Sequence, residues 1–216
     1  MWDRLRLLLD EENAIQILLL SEDVVAACDI TNPRITDAWE LQSALIVSLL
    51  LTAPMKEAIL ASLDIKRHFK KERNDLYRLV IPEAETTNRQ ELNYPIQGPV
   101  LKILKLYLKI YLPLLASPTN TKLFVSRTGR QKQAHEISSQ IDKFIQKRTE
   151  LKMNVGLFRH FFAYLKLRQN KDDFESVRSQ LSHVFSETTH TFYGDFKKQQ
   201  SFEMLDNIIK TKRRMV

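Results

Sequence analysis

Leu157-Phe158-Arg159-His160, then Leu181-Ser182-His183, then Thr188-Thr189-His190-Thr191-Phe192-Tyr193 are the three blocks that decide how this chain reads. They set an arginine, a histidine and a tyrosine at fixed intervals in a basic, helix-rich half. Breaking a phosphodiester by nucleophilic catalysis needs a nucleophile, cations on the non-bridging oxygens, a proton donor for the leaving oxygen, and firm positioning. Tyr193 supplies a nucleophile, although a phenol with a pKa near 10 is weak unless activated. Arg159 supplies a two-pronged grip that never loses its charge. His183 can donate to an oxygen or move a proton at neutral pH. Arg159 and Tyr193 lie 34 residues apart, room for two helices and a turn. Taken singly, each has a more ordinary reading: Arg159 in a surface ion pair, His183 as a helix cap, Tyr193 in the core. The set of three, with Thr188-Thr189 before the tyrosine, points to chemistry.

Working outward, the charge is uneven. Residues 1–119 carry 14 Lys and Arg against 16 Asp and Glu, a net of −2; residues 120–216 carry 19 against 10, a net of +9. A basic half joined to a near-neutral half suits a polyanion, DNA or RNA before an anionic membrane surface. Only four glycines occur in 216 residues, which argues against a glycine-rich phosphate cradle. Cys28 stands alone, so neither a disulfide framework nor a cysteine metal site is expected. A lone thiol fits a reducing compartment, and the cytoplasm is the expected location. Met1-Trp2-Asp3 lacks the basic start of a signal peptide. The longest apolar run, 44–51, is too short to span a bilayer, so no membrane contact is expected. No cofactor or metal is expected either.

Hydrophobic periodicity predicts helices over 2–20 (apolar face Leu5, Leu8, Leu9, Ile15, Leu18 and Leu19), a next helix capped by Ser21, and helices over 38–51 and 56–63. Three strand-like runs follow, at 64–70, 76–81 and 91–96, the last two joined by a hairpin turn at Thr86-Thr87-Asn88-Arg89. Further helices are expected over 100–111, closed by Pro113 and the 117–120 cluster, then over 136–149, 157–167, 174–181 and 201–209. Leu123-Phe124-Val125 reads as a short extended piece. The expected class is α+β, mainly α-helical, with a small three-stranded antiparallel sheet. The expected division is an N-terminal helical segment 1–37, a main domain 38–200, and a C-terminal helix with a basic tail 201–216.

The blocks 157–160, 181–183 and 188–193 resemble the C-terminal signature of the tyrosine recombinases, the phage integrase family. That signature has a His-x-x-Arg-His block, a Leu-Gly-His block and a tyrosine after a Thr-Thr pair. Upstream, Thr52-Ala53-Pro54-Met55-Lys56 with Leu60-Ala61-Ser62-Leu63 resembles the block of the family's first arginine. Glu85-Thr86-Thr87-Asn88 sits where the family has its hairpin lysine, and Leu123-Phe124-Val125 resembles its Leu-Phe segment. The resemblance covers roughly 38–196. It implies a recombinase catalytic domain that breaks and rejoins DNA strands in site-specific recombination or integration through a 3′-phosphotyrosyl link. Tyr193, Arg159, His183 and Lys56 are then the expected catalytic residues, and Arg89, His160, Lys132 and Lys152 the expected DNA contacts.

Departures from the pattern matter as much. Lys56 replaces the first arginine and loses the planar fork. Thr87 falls at the catalytic lysine and cannot act as a cationic acid. Gly156 falls at the first histidine and has no side chain. Ser182 replaces a glycine, a milder change. Losing a positioned charge donor or a general acid costs about 10²–10⁴ in rate. The alternative reading is therefore a non-catalytic module from a decayed mobile element, which binds DNA or a full-length recombinase. Only 37 residues precede the catalytic-like block, too few for the family's N-terminal DNA clamp. The segment 201–209 resembles the family's piece that docks on a neighbouring protomer, implying self-association; packing within its own chain is the other reading.

Overall fold

A buried helix organises everything else in the computed structural model. The structure describes residues 7, 8, 10–73, 76–86, 89–169 and 177, and these belong to one compact unit. His183, Tyr193 and the segment 201–209 lie outside the described residues. Of the expected helix 174–181 only Val177 is described, helical and buried.

The central element is α2 (Ile35–Thr52), which follows α1 (Glu11–Ala27). Nearly every position of α2 from Leu41 to Leu50 is buried, as its all-round apolar sequence requires. It is packed by α1, by α5 (Gly98–Leu106), by α7 (Ala134–Thr149) and by α8 (Val155–Gln169). The short helices α3 (Glu57–Ser62) and α4 (Ile65–His68) lead into the sheet.

α1 corrects two expectations. No break occurs at Ser21: one helix runs through it, capped instead by Asp10, whose carboxylate accepts from the N–H groups of Glu12 and Asn13. The Ser21 hydroxyl is buried and donates to the Ala44 carbonyl at 2.9 Å, bridging α1 to α2. That bridge selects the inward face. Ala14, Ile17, Leu20 and Val24 are buried with Ser21, whereas Ile15, Leu18 and Leu19 are exposed. The sequence is apolar almost all round here, so periodicity alone could not choose.

The sheet is three-stranded and antiparallel as expected, in the order β1 (Phe69–Lys71), β2 (Tyr77–Ile81), β3 (Leu92–Ile96). Phe69 lies opposite Leu79, and Leu79 opposite Tyr94. This row, with Ile81, Leu92 and Ile96, forms the buried face; Lys70, Arg78 and Pro95 share the other register. Only the end of the expected strand 64–70 is a strand. Asp64 accepts from the N–H groups of Lys66 and Arg67 and caps α4, turning those residues into a helix.

The expected helix 100–111 is longer and changes pitch. α5 passes into a π turn (Tyr107–Tyr111) and then α6 (Leu112–Leu115). Pro113 does not end it. Proline has no N–H to give the preceding turn, and a local widening absorbs the missing bond. The widened turn also aims two fully buried tyrosines. Tyr107 reaches α2 and the Leu123 carbonyl, and Tyr111 donates to the Asp29 carbonyl at 3.2 Å.

Candidate functional site

The extended piece Leu123-Phe124-Val125 is fully buried and held by one side chain that sequence reasoning missed. Gln42, on α2, accepts from the Val125 N–H at 2.9 Å and donates to the Val125 carbonyl at 3.3 Å. The Tyr107 hydroxyl donates to the same glutamine oxygen at 3.1 Å. A buried glutamine in an apolar helix stripe was the available signal, since such a group must find backbone partners. Past this anchor the chain turns at Gly129, whose φ of 77° lies in the left-handed region. The turn is closed by the Ser126 N–H to the Arg130 carbonyl at 2.7 Å.

Arg159 sits in the second turn of α8, between buried Phe158 and Phe161 in sequence and half-buried itself. Its Nε is buried. Its charge acts on Tyr94 of β3. Burial pushes the Tyr94 phenol up to about 12, and Arg159 only partly opposes this. The phenol is therefore neutral at pH 7. His160 is half-buried beside it; burial, and then the Arg159 charge, lower its pKa, so the imidazole is neutral as well. The site thus couples a permanent cation to two groups that are neutral at pH 7.

Lys56 lies between α2 and α3 at the N-cap of α3, half-buried, and its side chain makes no cap bond. Its neighbour Glu57 accepts from Ser138 of α7 at 2.7 Å, which fixes α3 on α7. Lys56 and Arg159 are thus carried by elements that rest, directly or through α7, on α2. Gly156 is exposed in the first turn of α8, and a Cβ there would meet only the Asn154 Oδ1 at 3.4 Å.

The expected hairpin turn is in fact a longer link. It contains a 3₁₀ turn (Glu83–Glu85) and is closed by the buried Thr86, whose single hydroxyl proton faces the Gln90 and Glu83 carbonyls at 2.8 and 3.0 Å and whose oxygen accepts from the Gln90 N–H at 3.0 Å. Thr87 lies outside the described residues. Arg89 is exposed, with φ at 53°. Lys152 is exposed in the link between α7 and α8. Lys132 lies elsewhere, half-buried over the Trp39 ring at 5.6 Å.

A second missed feature anchors this link. His68 is 1% exposed. Its Nδ1 accepts from the Asp64 N–H at 2.9 Å, and its Nε2 lies 3.1 Å from Glu85. An accepting Nδ1 means that Nε2 carries the proton. Burial lowers the His68 pKa against the opposing pull of Glu85, which keeps the ring neutral. Arg67 also pairs with Glu85. Asp64 is partly desolvated, but bonds from Thr121, the Arg67 N–H, Lys122 and the Lys66 N–H outweigh this and hold its pKa at about 2. The link, α4 and residues 121–122 are thereby joined in one polar network.

No family model matches the chain, and no curated protein matches it in sequence. Solved structures do match. One is XerH site-specific recombinase bound to its difH substrate in a pre-cleavage complex, with TM-score 0.60, 19% identity, and coverage of 83% of this chain and 48% of that one. Another is XerH bound to palindromic difH in a post-cleavage complex, with TM-score 0.62, 21% identity, and coverage of 88% and 50%. A third is XerA recombinase, with TM-score 0.55, 22% identity, and coverage of 69% and 52%. The chain therefore has a tyrosine recombinase-like fold and spans about half the length of these recombinases. Among the described residues no helix is long and apolar enough to cross a membrane.

Proposed function

We propose that this chain binds duplex DNA and carries out site-specific recombination by the tyrosine recombinase route, at a rate lowered by its altered site. The observation that carries the reading is Arg159. It is a half-buried guanidinium on α8 whose charge acts on Tyr94 of β3 and on His160, both neutral at pH 7, within a tyrosine recombinase-like fold. In this reading Arg159 and Lys56 grip the non-bridging oxygens of one phosphate. The Tyr193 hydroxyl loses its proton and attacks phosphorus; the 5′ oxygen leaves and takes up a proton, with His183 in the proton relay. A second copy of the chain, or a full-length recombinase, is the proposed partner of the segment 201–209.

A second reading is favoured by a specific observation. Gly156 offers no side chain where the resemblance calls for a histidine, and Thr87 and Lys56 weaken two more positions. This describes a module that binds DNA, or a recombinase, without cleaving.

Covalent trapping separates the two. The protein is mixed with a nicked duplex that cannot religate, including DNA from the gene's own flanks, and resolved on a denaturing gel. An adduct that disappears with Tyr193→Phe supports the cleavage reading. DNA binding without adduct supports the second. In a parallel duplex-binding titration Arg159→Ala should weaken affinity at least about tenfold, as expected for loss of a charge-assisted phosphate contact. Tyr193→Phe should leave affinity nearly intact. Equal losses from both would make Tyr193 a packing residue, and binding that stayed constant as salt rose would remove the DNA reading altogether.

A further inference from the structure

Beside the N-terminal half of α2 lies a cavity of about 360 Å³ that the site above does not use. This is within the roughly 300–1,000 Å³ of small-ligand pockets. Two aromatic rings, Trp39 of α2 and Phe144 of α7, form its apolar wall. Four cations surround it: Arg127 and Lys132 from the turn after Val125, and Lys143 and Lys147 from α7. The carboxylate among its described lining residues, Glu40, is engaged with Arg148 at 2.8 Å and Lys147 at 3.5 Å. The balance inside is strongly positive.

A further observation points to a ligand. Gln140 lines the cavity and donates to the Ser43 hydroxyl at 2.7 Å, but its Oε1 is buried with no hydrogen-bond partner among the described residues. A buried acceptor left open costs free energy unless a donor arrives. Lys132 adds to the cost. Its ammonium is half-buried over the Trp39 ring at 5.6 Å, and burial lowers its pKa. An anion placed here would relieve that cation.

Few ligands meet all these demands. The ring wall asks for a flat apolar group, the open glutamine oxygen for a donor on that group's edge, and the cations for a phosphate. We propose that the Trp39–Phe144 cavity binds one nucleotide: its phosphate draws Lys132 off the Trp39 ring and rests on that ammonium together with Arg127, Lys143 and Lys147, and its base takes the ring face that Lys132 leaves, with an edge N–H toward Gln140 Oε1. A free nucleotide and an unpaired nucleotide of a DNA strand carry the same chemistry, and either would fit. Stacking on an aromatic ring combined with a cationic track is how single strands are held without sequence preference.

The chain has two tryptophans, so Trp2→Phe leaves Trp39 as the sole reporter. Tryptophan fluorescence of that protein is titrated with adenosine monophosphate, with a short single-stranded oligothymidylate and with inorganic phosphate. Saturable quenching by the oligonucleotide, with or without the mononucleotide, is expected, because a stacked base quenches indole. Quenching by both identifies a free-nucleotide site, and quenching by the oligonucleotide alone identifies a strand contact; each supports the proposal. Phosphate should compete without quenching. Lys143→Glu, on an exposed position, should weaken binding at least about tenfold, and Gln140→Leu by several-fold. No saturable quenching by either ligand overturns the proposal, as does quenching indifferent to both substitutions. Duplex binding measured in parallel bears only on the function proposed above: its loss with quenching retained refutes that function and leaves the cavity assignment standing.

Discussion

Replacing Gln42 by leucine tests the anchor on which the basic turn depends. Leucine fills a similar volume, so little cavity opens, but it offers no polar atom. The Val125 N–H and carbonyl would then lose the partners that now lie 2.9 and 3.3 Å away, in a position with no solvent exposure. Tyr107 would keep its second acceptor, the Leu123 carbonyl at 3.1 Å. Two orphaned backbone groups at about 1–3 kcal/mol each, reduced by partial relaxation, predict a loss of roughly 2–4 kcal/mol. Urea unfolding reads this as a drop in midpoint of about 1–2 M at unchanged slope. A shift corresponding to less than about 0.5 kcal/mol would refute the argument, because Val125 would then be satisfied some other way. Gln42→Glu sharpens the test. A protonated carboxyl can donate to the Val125 carbonyl, whereas a carboxylate can only face it. Burial should raise that carboxyl's pKa, so the variant should be more stable in mild acid and lose stability as pH rises.

Acid titration should expose Asp64. Its folded pKa of about 2 lies below the ordinary 3.8, so its contribution of about 1–2 kcal/mol is full above about pH 4 and is lost as pH falls toward 2; Asp64→Asn should flatten that part of the stability profile. Gly156→His should fold normally, since the added Cβ meets only a side-chain tip at 3.4 Å, and should leave stability unchanged or raise it by up to about 1 kcal/mol relative to glycine. If cleavage limits the trapping assay, that variant should also raise adduct yield. A melting temperature several degrees lower would show that the α8 terminus needs glycine.

The fold was legible where physics is local. Ile137, Ile141, Phe144 and Ile145 recur at helical spacing and are the buried face of α7, and the Leu-Tyr-Arg-Leu-Val-Ile run is β2. Reading failed where a single polar bond decides. Ser21 looks like a cap in sequence and is a cross-helix donor in space. Asp64 looks like the start of a strand, but its carboxylate makes a helical turn. Pro113 looks like a stop and is absorbed by a π turn. The motif blocks point to Arg159, His160 and Lys56, whose roles belong to the function proposed above. Gln42, His68 and Glu85 carry no such signal: Gln42 and Glu85 meet partners 83 and 17 residues away that no spacing rule connects, and His68 takes its near bond from a backbone N–H, which no side-chain pattern announces.

The geometry separates what holds the fold from what could act on a ligand. On α8, Leu157, Phe158, Phe161 and Phe162 are buried and serve the core, while Arg159 and His160 occupy half-buried positions between them. The substitutions that depart from the recombinase pattern fall on the second kind of position: Lys56 makes no cap bond, and Gly156 is exposed with space around it. Arg159 is the opposite case. A half-buried guanidinium loses hydration, so its position depends on the groups around it; its charge reaches both the Tyr94 phenol, which stays protonated until about pH 12, and His160, which burial and Arg159 itself keep neutral. In the function proposed above, the anion that Arg159 would meet is a phosphodiester, whose oxygens a guanidinium grips in pairs.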